Sequence, residues 1–205
     1  MNNKKKIFIL LIKPFLDYLL AILILPVFIL LCIPIGLLIK IEDKGPVFFT
    51  ANRIGRHSKV FKMYKFRTMR VNAELLINND GSTYNAKDDP RVTRIGKFLR
   101  ETSLDEVPQV LNVLRGEMSF IGPRASLEGA LGTFQEDEIA KMDVLPGISG
   151  YVQAYHRNGL SNREKRLKDA WYAKNCSFSL DFRVFFKTIF TIFKRENLYS
   201  NGSPS

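Results

Sequence analysis

An uncharged apolar segment close to the N-terminus constrains this sequence more than any other feature. The run from Tyr18 to Ile39, YLLAILILPVFILLCIPIGLLI, has 22 residues and no charged side chain. A straight helix of this length would reach about 33 Å, which is enough to cross a hydrocarbon core of roughly 30 Å. The apolar part exceeds the length of a signal-peptide core and no small-residue cleavage site follows it. We therefore expect a retained membrane anchor.

Two observations favour a re-entrant path for this anchor over a single membrane span. Pro26 lies in mid-segment, where it costs a helix roughly 3 kcal/mol, so we expect the helix to break at Leu25 and Pro26. Basic residues also flank both ends of the segment, and such residues favour the cytoplasmic side. A helix that dips into the bilayer and returns keeps both clusters on one anionic surface. An ordinary single-pass helix is the alternative.

The charge balance indicates an anionic partner for the rest of the chain. The 205 residues include 31 Lys and Arg against 20 Asp and Glu, a net charge of +11. Phosphate compounds, nucleic acids and anionic phospholipid headgroups all fit such a charge. Cys32 and Cys176 form no CxxC pair or Cys/His cluster, so no disulfide or metal framework is visible. We divide the chain into an anchor over 1–41, a soluble domain over 42–199 and a disordered tail over 200–205.

Apolar periodicity predicts a helix-rich α+β fold with a short β-hairpin. The hairpin strands are predicted over 46–51 and 60–66, and a further strand over 151–155. Helices are predicted over 70–77, 93–101, 106–114, 162–175 and 180–195. The last helix is amphipathic and carries a Phe-rich stripe, which fits either a core-facing helix or an interfacial helix lying in the membrane headgroups.

Asp105 and Glu106 are adjacent acids within a strongly basic region. From Lys44 to Arg124 the chain has 15 Lys and Arg against eight acids. Ser103 and Glu106 match a helix capping box, but Pro108 would then fall where the helix needs its N–H. A helix that starts at Asp105 places Pro108 in its first turn and points the two carboxylates in different directions.

An acidic pair in a basic field suits a Mg²⁺ diphosphate site. Carboxylate oxygens are ligands that Mg²⁺ accepts, and arginines hold phosphate oxygens in bidentate pairs. One carboxylate could instead attack phosphorus and form an acyl phosphate. A structural helix cap on a solvated basic surface is the alternative.

Four sequence runs resemble those of the bacterial sugar transferases, the monotopic polyprenyl-phosphate phosphoglycosyl transferases. These runs are KVFKMYKFRTM, IGKFLRETSLDEVPQVLNVLRGEMSFIGPR, PGISGYVQA and DAWYAKNCSFSLDFRVFFKTI, in the expected order over nearly the whole chain. The resemblance implies a Mg²⁺-dependent transfer of a sugar phosphate from a UDP-sugar to undecaprenyl phosphate, with release of UMP. It also implies a location on the cytoplasmic face of the inner membrane.

The resemblance further implies roles for individual residues. Asp105 would attack the β-phosphate and form a covalent phosphosugar intermediate, while Glu106 would assist through the metal or through proton handling. Both acids would be metal ligands. The substrate-binding residues would be Lys65, Arg67, Arg100, Arg124 and Asp169. The family's re-entrant helix breaks at a proline, which matches Leu25 and Pro26.

A membrane-anchored basic binding module without catalysis is the competing hypothesis. It predicts salt-sensitive binding without UMP release. No recognition-helix or RNP-type pattern is present, and a binding module gives no reason for an acidic pair among bases. We therefore expect an anionic phospholipid membrane and no nucleic acid among the partners, and the sequence leaves a homodimer open.

Overall fold

A computed structural model describes residues 3–74, 76, 78, 84, 86, 88–156 and 159–194. It confirms a mixed helix and sheet architecture with an N-terminal apolar helix. The helices are α1 (Asn3–Ile7), α2 (Lys13–Asp43), α3 (Arg94–Thr102), α4 (Val110–Leu114), α5 (Tyr151–Tyr155), α6 (Asn162–Asn175) and α7 (Phe178–Lys194). The strands are β1 (Phe48–Ile54), β2 (Val60–Phe66), β3 (Ser119–Ile121), β4 (Ser126–Leu127) and β5 (Gly147–Ser149). The predicted tail over 200–205 lies outside the described residues.

Helix α2 corresponds to the predicted anchor. Together with the preceding turn it forms a helical stretch from Lys5 to Asp43 that is long and apolar enough to cross a membrane, by length and composition alone. The helix is assigned without interruption through Pro26 and Pro34. The expected break at Leu25 and Pro26 is thus not visible as a gap in the helix, and the re-entrant path stays a prediction.

One side of α2 packs against the rest of the chain. Its buried positions recur four or seven residues apart, which is the spacing of a single helix face. These positions are Lys13, Asp17, Ala21, Phe28, Ile35 and Ile39. The opposite face leaves large apolar side chains exposed, among them Leu23, Leu30 and Ile33, each at least 65% exposed. A large exposed apolar face of this kind marks a surface that contacts a membrane or another protein.

The main core lies between α2, the hairpin, α3 and α4. It contains Phe28 and Ile35 of α2, Met63 and Phe66 of β2, and Leu99 of α3. A second, smaller core packs the segment before α2 against α5, α6 and α7. Its buried members are Phe8, Ile9, Ile121, Val144, Ala154, Tyr172, Ala173, Cys176 and Val184.

Strands β1 and β2 form the predicted antiparallel hairpin, and β4 pairs with the other edge of β1. Directly opposed residues of an antiparallel pair share one face of the sheet. Phe49 lies opposite Lys65, and Arg53 lies opposite Phe61. Because side chains alternate along a strand, Lys65, Phe61 and Arg53 all lie on the same face of the hairpin.

The C-terminal end of α2 is fastened to the soluble domain by two acids. The Glu42 carboxylate accepts hydrogen bonds from the backbone N–H groups of Arg94 and Ile95 at 2.7 and 2.9 Å. Asp43 pairs with the Arg67 guanidinium and accepts a hydrogen bond from the Val71 N–H at 3.0 Å. The N-terminus of α3 is therefore capped by the end of the anchor helix, where a negative charge is favourable.

Three element predictions are wrong. No helix occupies the described part of 70–77, where the N–H groups of Arg70 and Val71 bond to Arg91 O and to the Asp43 carboxylate. Residues 151–155 form helix α5, and the strand is instead β5, which pairs in parallel with β3. The segment predicted as one helix over 106–114 is a 3-10 turn, Leu104–Gln109, followed by the short α4.

Helix α7 presents its Phe-rich stripe outward. Phe178, Phe182 and Phe186 are each more than half exposed, whereas Val184 is fully buried. The core-facing interpretation of this stripe is therefore wrong for these residues.

Helix α6 begins with the capping box formed by Ser161 and Glu164 and matches the predicted bounds.

Asn112 of α4 joins that helix to the hairpin. Its amide donates to Lys62 O at 2.8 Å and accepts from the Tyr64 N–H at 3.0 Å, and its side chain is completely buried. A further hydrogen bond runs to Glu117 at 2.7 Å. Asn112 thus fixes where α4, and the 3-10 turn before it, meets β2.

We expect Asn112→Ala to remove the hydrogen-bond partners of Lys62 O and Tyr64 N–H and to leave a small cavity at a completely buried position. The loss should be about 2 to 3 kcal/mol in the free energy of unfolding, or roughly 4 to 12 °C in Tm for a chain of this size. Thermal unfolding in detergent, followed by circular dichroism, measures it. Asn52→Ala is the matched control, because Asn52 is exposed and bonds only to Glu128. Equal effects of the two substitutions would contradict the role given to Asn112.

Candidate active site

Asp105 and Glu106 lie on the 3-10 turn between α3 and α4. Ser103 has a φ of 58° and ends α3, and its side chain makes no capping hydrogen bond. Pro108 lies within the turn, where its missing N–H costs no α-helical bond. As the position of Pro108 suggested, the Ser103–Glu106 capping box is not formed.

The two carboxylates converge on one lysine. The Lys65 ammonium nitrogen lies 2.6 Å from Glu106 Oε1 and 3.4 Å from Asp105 Oδ2. The expectation that successive residues would point the acids in different directions is therefore wrong. Lys65 reaches both because β2 runs directly beneath the turn, held there by Asn112.

The two acids differ in their titration. Burial raises the pKa of Asp105 above its ordinary value, and the Glu106 charge raises it further. The charges of Lys65 and Arg100 act to lower it but do not outweigh the rise. Burial also acts to raise the pKa of Glu106, but Lys65 and Arg124 outweigh it and hold that pKa below its usual range. We attribute the difference to distance, because the ammonium lies much closer to Glu106 than to Asp105.

Two of the predicted arginines lie around the acidic pair. Arg124 approaches Glu106 to 3.9 Å, and its side chain is 62% exposed. Arg100 is half-buried, donates from Nε to Thr68 Oγ1 at 3.0 Å, and lowers the pKa of Asp105 by its charge. The structure thus brings together Lys65, Arg100, Arg124, Asp105 and Glu106.

Arg67 and Asp169 form no hydrogen bond or ion pair with Asp105 or Glu106 among the described residues, although the Arg124 backbone and charge act on Asp169. The Arg67 guanidinium is buried against Asp43, and its Nε donates to Pro46 O at 2.6 Å. Asp169 is buried with Lys141 at 3.1 Å, and burial raises its pKa against the charges of Lys141 and Arg124. Their contacts place Arg67 at the anchor junction and Asp169 behind Arg124. The substrate-binding role predicted for each stays a prediction.

Arg124 is positioned by two loops that touch backbone to backbone. Gly122 and Gly147 face each other so closely that a Cβ on Gly147 would lie 2.1 Å from Gly122 N. Two hydrogen bonds, Gly122 N to Ser149 O and Gly147 N to Pro123 O, each 2.9 Å long, join the loops. Only glycine permits this approach. The sequence showed the two motifs but gave no sign that they meet.

The acid pair fits a magnesium ion that substrate helps to bind. No group of three or more His, Cys, Asp or Glu side chains suited to a metal occurs among the described residues. Mg²⁺ is commonly held by one or two carboxylates together with substrate phosphates and water. Asp105 and Glu106 are adjacent carboxylates of this kind, and their contacts with Lys65 bring them together on one side of the 3-10 turn.

Comparison with known proteins identifies the family. The family model described as bacterial sugar transferase matches residues 8–195. The exopolysaccharide production protein ExoY of Sinorhizobium fredii is 39% identical over 84% of this chain and 81% of its own length. This chain belongs to the bacterial sugar transferase family, and the resemblance seen in its motifs is confirmed.

Two longer relatives carry more specific names. A UDP-N-acetylgalactosamine-undecaprenyl-phosphate N-acetylgalactosaminephosphotransferase of Aeromonas hydrophila is 40% identical over 88% of this chain. An undecaprenyl-phosphate galactose phosphotransferase of Salmonella typhimurium is 37% identical over 77% of it. The chain spans only 43% and 36% of the length of these two relatives.

The raised pKa of Asp105 predicts a pH-dependent gain in stability for Asp105→Asn. The folded-state pKa lies above the unfolded value of about 3.9, so the stability due to this carboxyl is complete below that pH and is lost as pH rises through the folded-state pKa. Asparagine does not ionise, so the variant does not lose stability in this way as pH rises. The Tm of the variant should therefore match wild type near pH 4 and exceed it near pH 7, by roughly 2 to 4 °C per kcal/mol.

Thermal unfolding across this pH range, with a chelator to exclude divalent metals, checks the prediction. Asp143→Asn is the control, because Asp143 is exposed. A difference in Tm that stays constant with pH would contradict the assignment.

Proposed function

We propose that this chain transfers a sugar 1-phosphate from a UDP-sugar to undecaprenyl phosphate and releases UMP. The observation that carries the proposal is the buried Asp105 carboxylate, which shares Lys65 with Glu106 and lies among arginines. Membership of the family and the names of the relatives support the same reaction class. The product would be the first lipid-linked intermediate of a surface glycan.

Asp105 is the proposed nucleophile. One of its carboxylate oxygens attacks the β-phosphorus, the bond from that phosphorus to the bridging oxygen breaks, and UMP leaves with the bond's electron pair. An oxygen of undecaprenyl phosphate then attacks the same phosphorus, and the Asp105 carboxylate is released. A weakly solvated carboxylate near one lysine is more nucleophilic than one held by several hydrogen bonds, and the raised pKa of Asp105 agrees with this.

The cations of the site are proposed to bind the phosphate groups of the substrate, while Asp105 attacks phosphorus. Lys65, Arg100 and Arg124 can neutralise phosphate oxygens on three sides of the acid pair, and arginine does so in bidentate pairs. Mg²⁺ bound to Asp105 and Glu106 would offset diphosphate charge and stabilise the departing phosphate. Glu106, whose pKa is held low, stays ionised and fits the part of metal ligand better than that of a proton donor.

The anchor is proposed to enter the membrane and return without crossing it. Both ends of the apolar stretch contact the same soluble domain: Lys5 and Lys13 at one end, Glu42 and Asp43 at the other. Lys13 pairs with Asp181 of α7 at 2.5 Å, and both side chains are largely buried. A spanning helix would hold these ends about 30 Å apart on opposite sides of the bilayer, which these contacts oppose. Pro26 and Pro34 provide positions where the helix can bend.

Helix α7 is proposed to lie in the headgroup region beside the anchor. Its exposed Phe178, Phe182 and Phe186 form an apolar stripe, and Lys13 joins the start of α7 to the anchor. An apolar stripe with basic residues nearby binds anionic interfaces. Because positive charge favours the cytoplasmic side, we place the domain on the cytoplasmic face of the inner membrane.

Asp105→Asn is expected to abolish UMP release. Purified full-length protein in detergent, with Mg²⁺, UDP-sugars and undecaprenyl phosphate, should release UMP, and the variant should lose at least about a thousandfold in rate because an amide does not replace the nucleophile. Mass spectrometry of wild type after reaction with a UDP-sugar alone should show the phosphosugar adduct. Asp143→Asn is the matched control and should retain activity. Turnover by Asp105→Asn would exclude Asp105 as nucleophile.

Cysteine labelling in sealed membrane vesicles tests the re-entrant path. In a variant with Cys32→Ser and Cys176→Ala, single cysteines at Asn3 and at Lys62 report the N-terminus and the soluble domain. A membrane-impermeant maleimide should label both from the same side, because both ends of the anchor contact one domain. Labelling from opposite sides would show that the helix spans the membrane.

A further inference from the structure

Arg53 of β1 forms no ion pair with an acid among the residues that the structure describes. Its Nε is buried and has no hydrogen-bond acceptor among the residues that the structure describes. Buried donors are nearly always satisfied, so each exception calls for a reason. Arg91 and Arg163 show the ordinary case, since each pairs with an aspartate.

The register of the sheet places Arg53 on the same face of the hairpin as Lys65, the lysine that contacts the acidic pair. The two positions are four residues of strand apart. On its other side Arg53 pairs with Leu127 of β4, three residues after Arg124. The charges of Arg124 and Glu106 are close enough to act on Arg53, the first opposing its charged form and the second favouring it.

This arrangement is unfavourable without an anion. Burial lowers the pKa of the Arg53 guanidinium to about 10, and the charge of Arg124 contributes to the lowering. The group nevertheless stays charged at neutral pH, so the fold holds two mutually repelling cations beside one carboxylate. Lys65, Arg124 and Arg53 all act on the Glu106 carboxylate, and Lys65 and Arg100 act on that of Asp105.

The direction of the hairpin distinguishes two sources of phosphate. Phe48 at the start of β1 follows the anchor closely, and Arg53 lies five residues further along, about 16 Å away at the rise of a β-strand. Arg53 is thus at the end of the hairpin that lies away from the anchor. A lipid phosphate approaches from the anchor side, whereas a nucleotide approaches from water.

We propose that Arg53 is a further phosphate-binding residue and that, with Arg124, it holds the nucleotide phosphate that leaves as UMP. This inference rests on the proposed function. It assigns to Arg53 a contact with substrate, and it explains why an arginine is kept where the protein offers it only repulsion and one distant carboxylate.

Calorimetric binding of UMP to full-length protein in detergent tests the proposal without requiring turnover. Arg53→Met should weaken UMP binding by roughly 10- to 100-fold, the usual effect of losing a hydrogen bond to a charged group. Arg53→Lys keeps the charge and loses the bidentate geometry, so its affinity for UMP should lie between those of wild type and Arg53→Met. Lys62→Met is the matched control, since Lys62 is exposed on the opposite face of the same hairpin, and it should stay within about twofold of wild type. Thermal unfolding should show no loss of Tm in Arg53→Met.

The outcomes separate this proposal from the proposed reaction. If wild type releases UMP from UDP-sugars but Arg53→Met binds UMP as wild type does, the inference is overturned and the reaction stands. If no UDP-sugar yields UMP but Arg53→Met still weakens UMP binding, the reaction fails and the phosphate site stands. Slower consumption of the preformed adduct by undecaprenyl phosphate, with UMP binding unchanged, would assign Arg53 to the lipid phosphate and overturn the nucleotide assignment. Absence of measurable UMP binding by wild type at millimolar concentration would also overturn it.

Discussion

Two adjacent carboxylates can remain ionised in a largely buried site only if a nearby cation offsets the cost of removing them from water. In this protein that cation is Lys65. The ammonium lies 2.6 Å from Glu106 and 3.4 Å from Asp105, so it stabilises the two charges unequally. The pKa of Glu106 falls while that of Asp105 rises. One geometry thus shifts the pKa values of two adjacent acids in opposite directions.

The position of Lys65 depends on contacts some distance away. Asn112 fixes β2 against α4 through two buried hydrogen bonds to the hairpin backbone, and that pairing places Lys65 under the 3-10 turn. Glu42 at the end of α2 caps α3, the helix that carries Arg100. The apolar helix and the site are therefore joined through α3. A change in how α2 meets the domain would shift Arg100 relative to Asp105.

The sequence predicted those parts of the molecule that local patterns determine. The hairpin, α3 and α6 follow from periodicity and capping residues, and the acidic pair stood out against its basic surroundings. What it could not supply are features created by tertiary contact. In place of the helix predicted over 70–77, the chain forms long-range contacts, in which Arg70 N–H bonds to Arg91 O and Val71 N–H to the Asp43 carboxylate. Likewise, the convergence of Asp105 and Glu106 depends on a 3-10 turn whose geometry Ser103 and Pro108 impose together.

The surroundings of Arg53 are a further feature that the sequence could not predict. In the sequence it belongs to a basic cluster that follows the apolar segment, where a membrane-facing role is the natural interpretation. Strand alternation and register instead direct it toward Glu106, and β4 brings Arg124 to its other side. The charge of Arg124 opposes the charged form of Arg53, whereas that of Glu106 favours it. Under the proposed assignment, a phosphate bound between the two arginines would relieve their mutual repulsion, because like charges at close range repel most strongly where little water screens them.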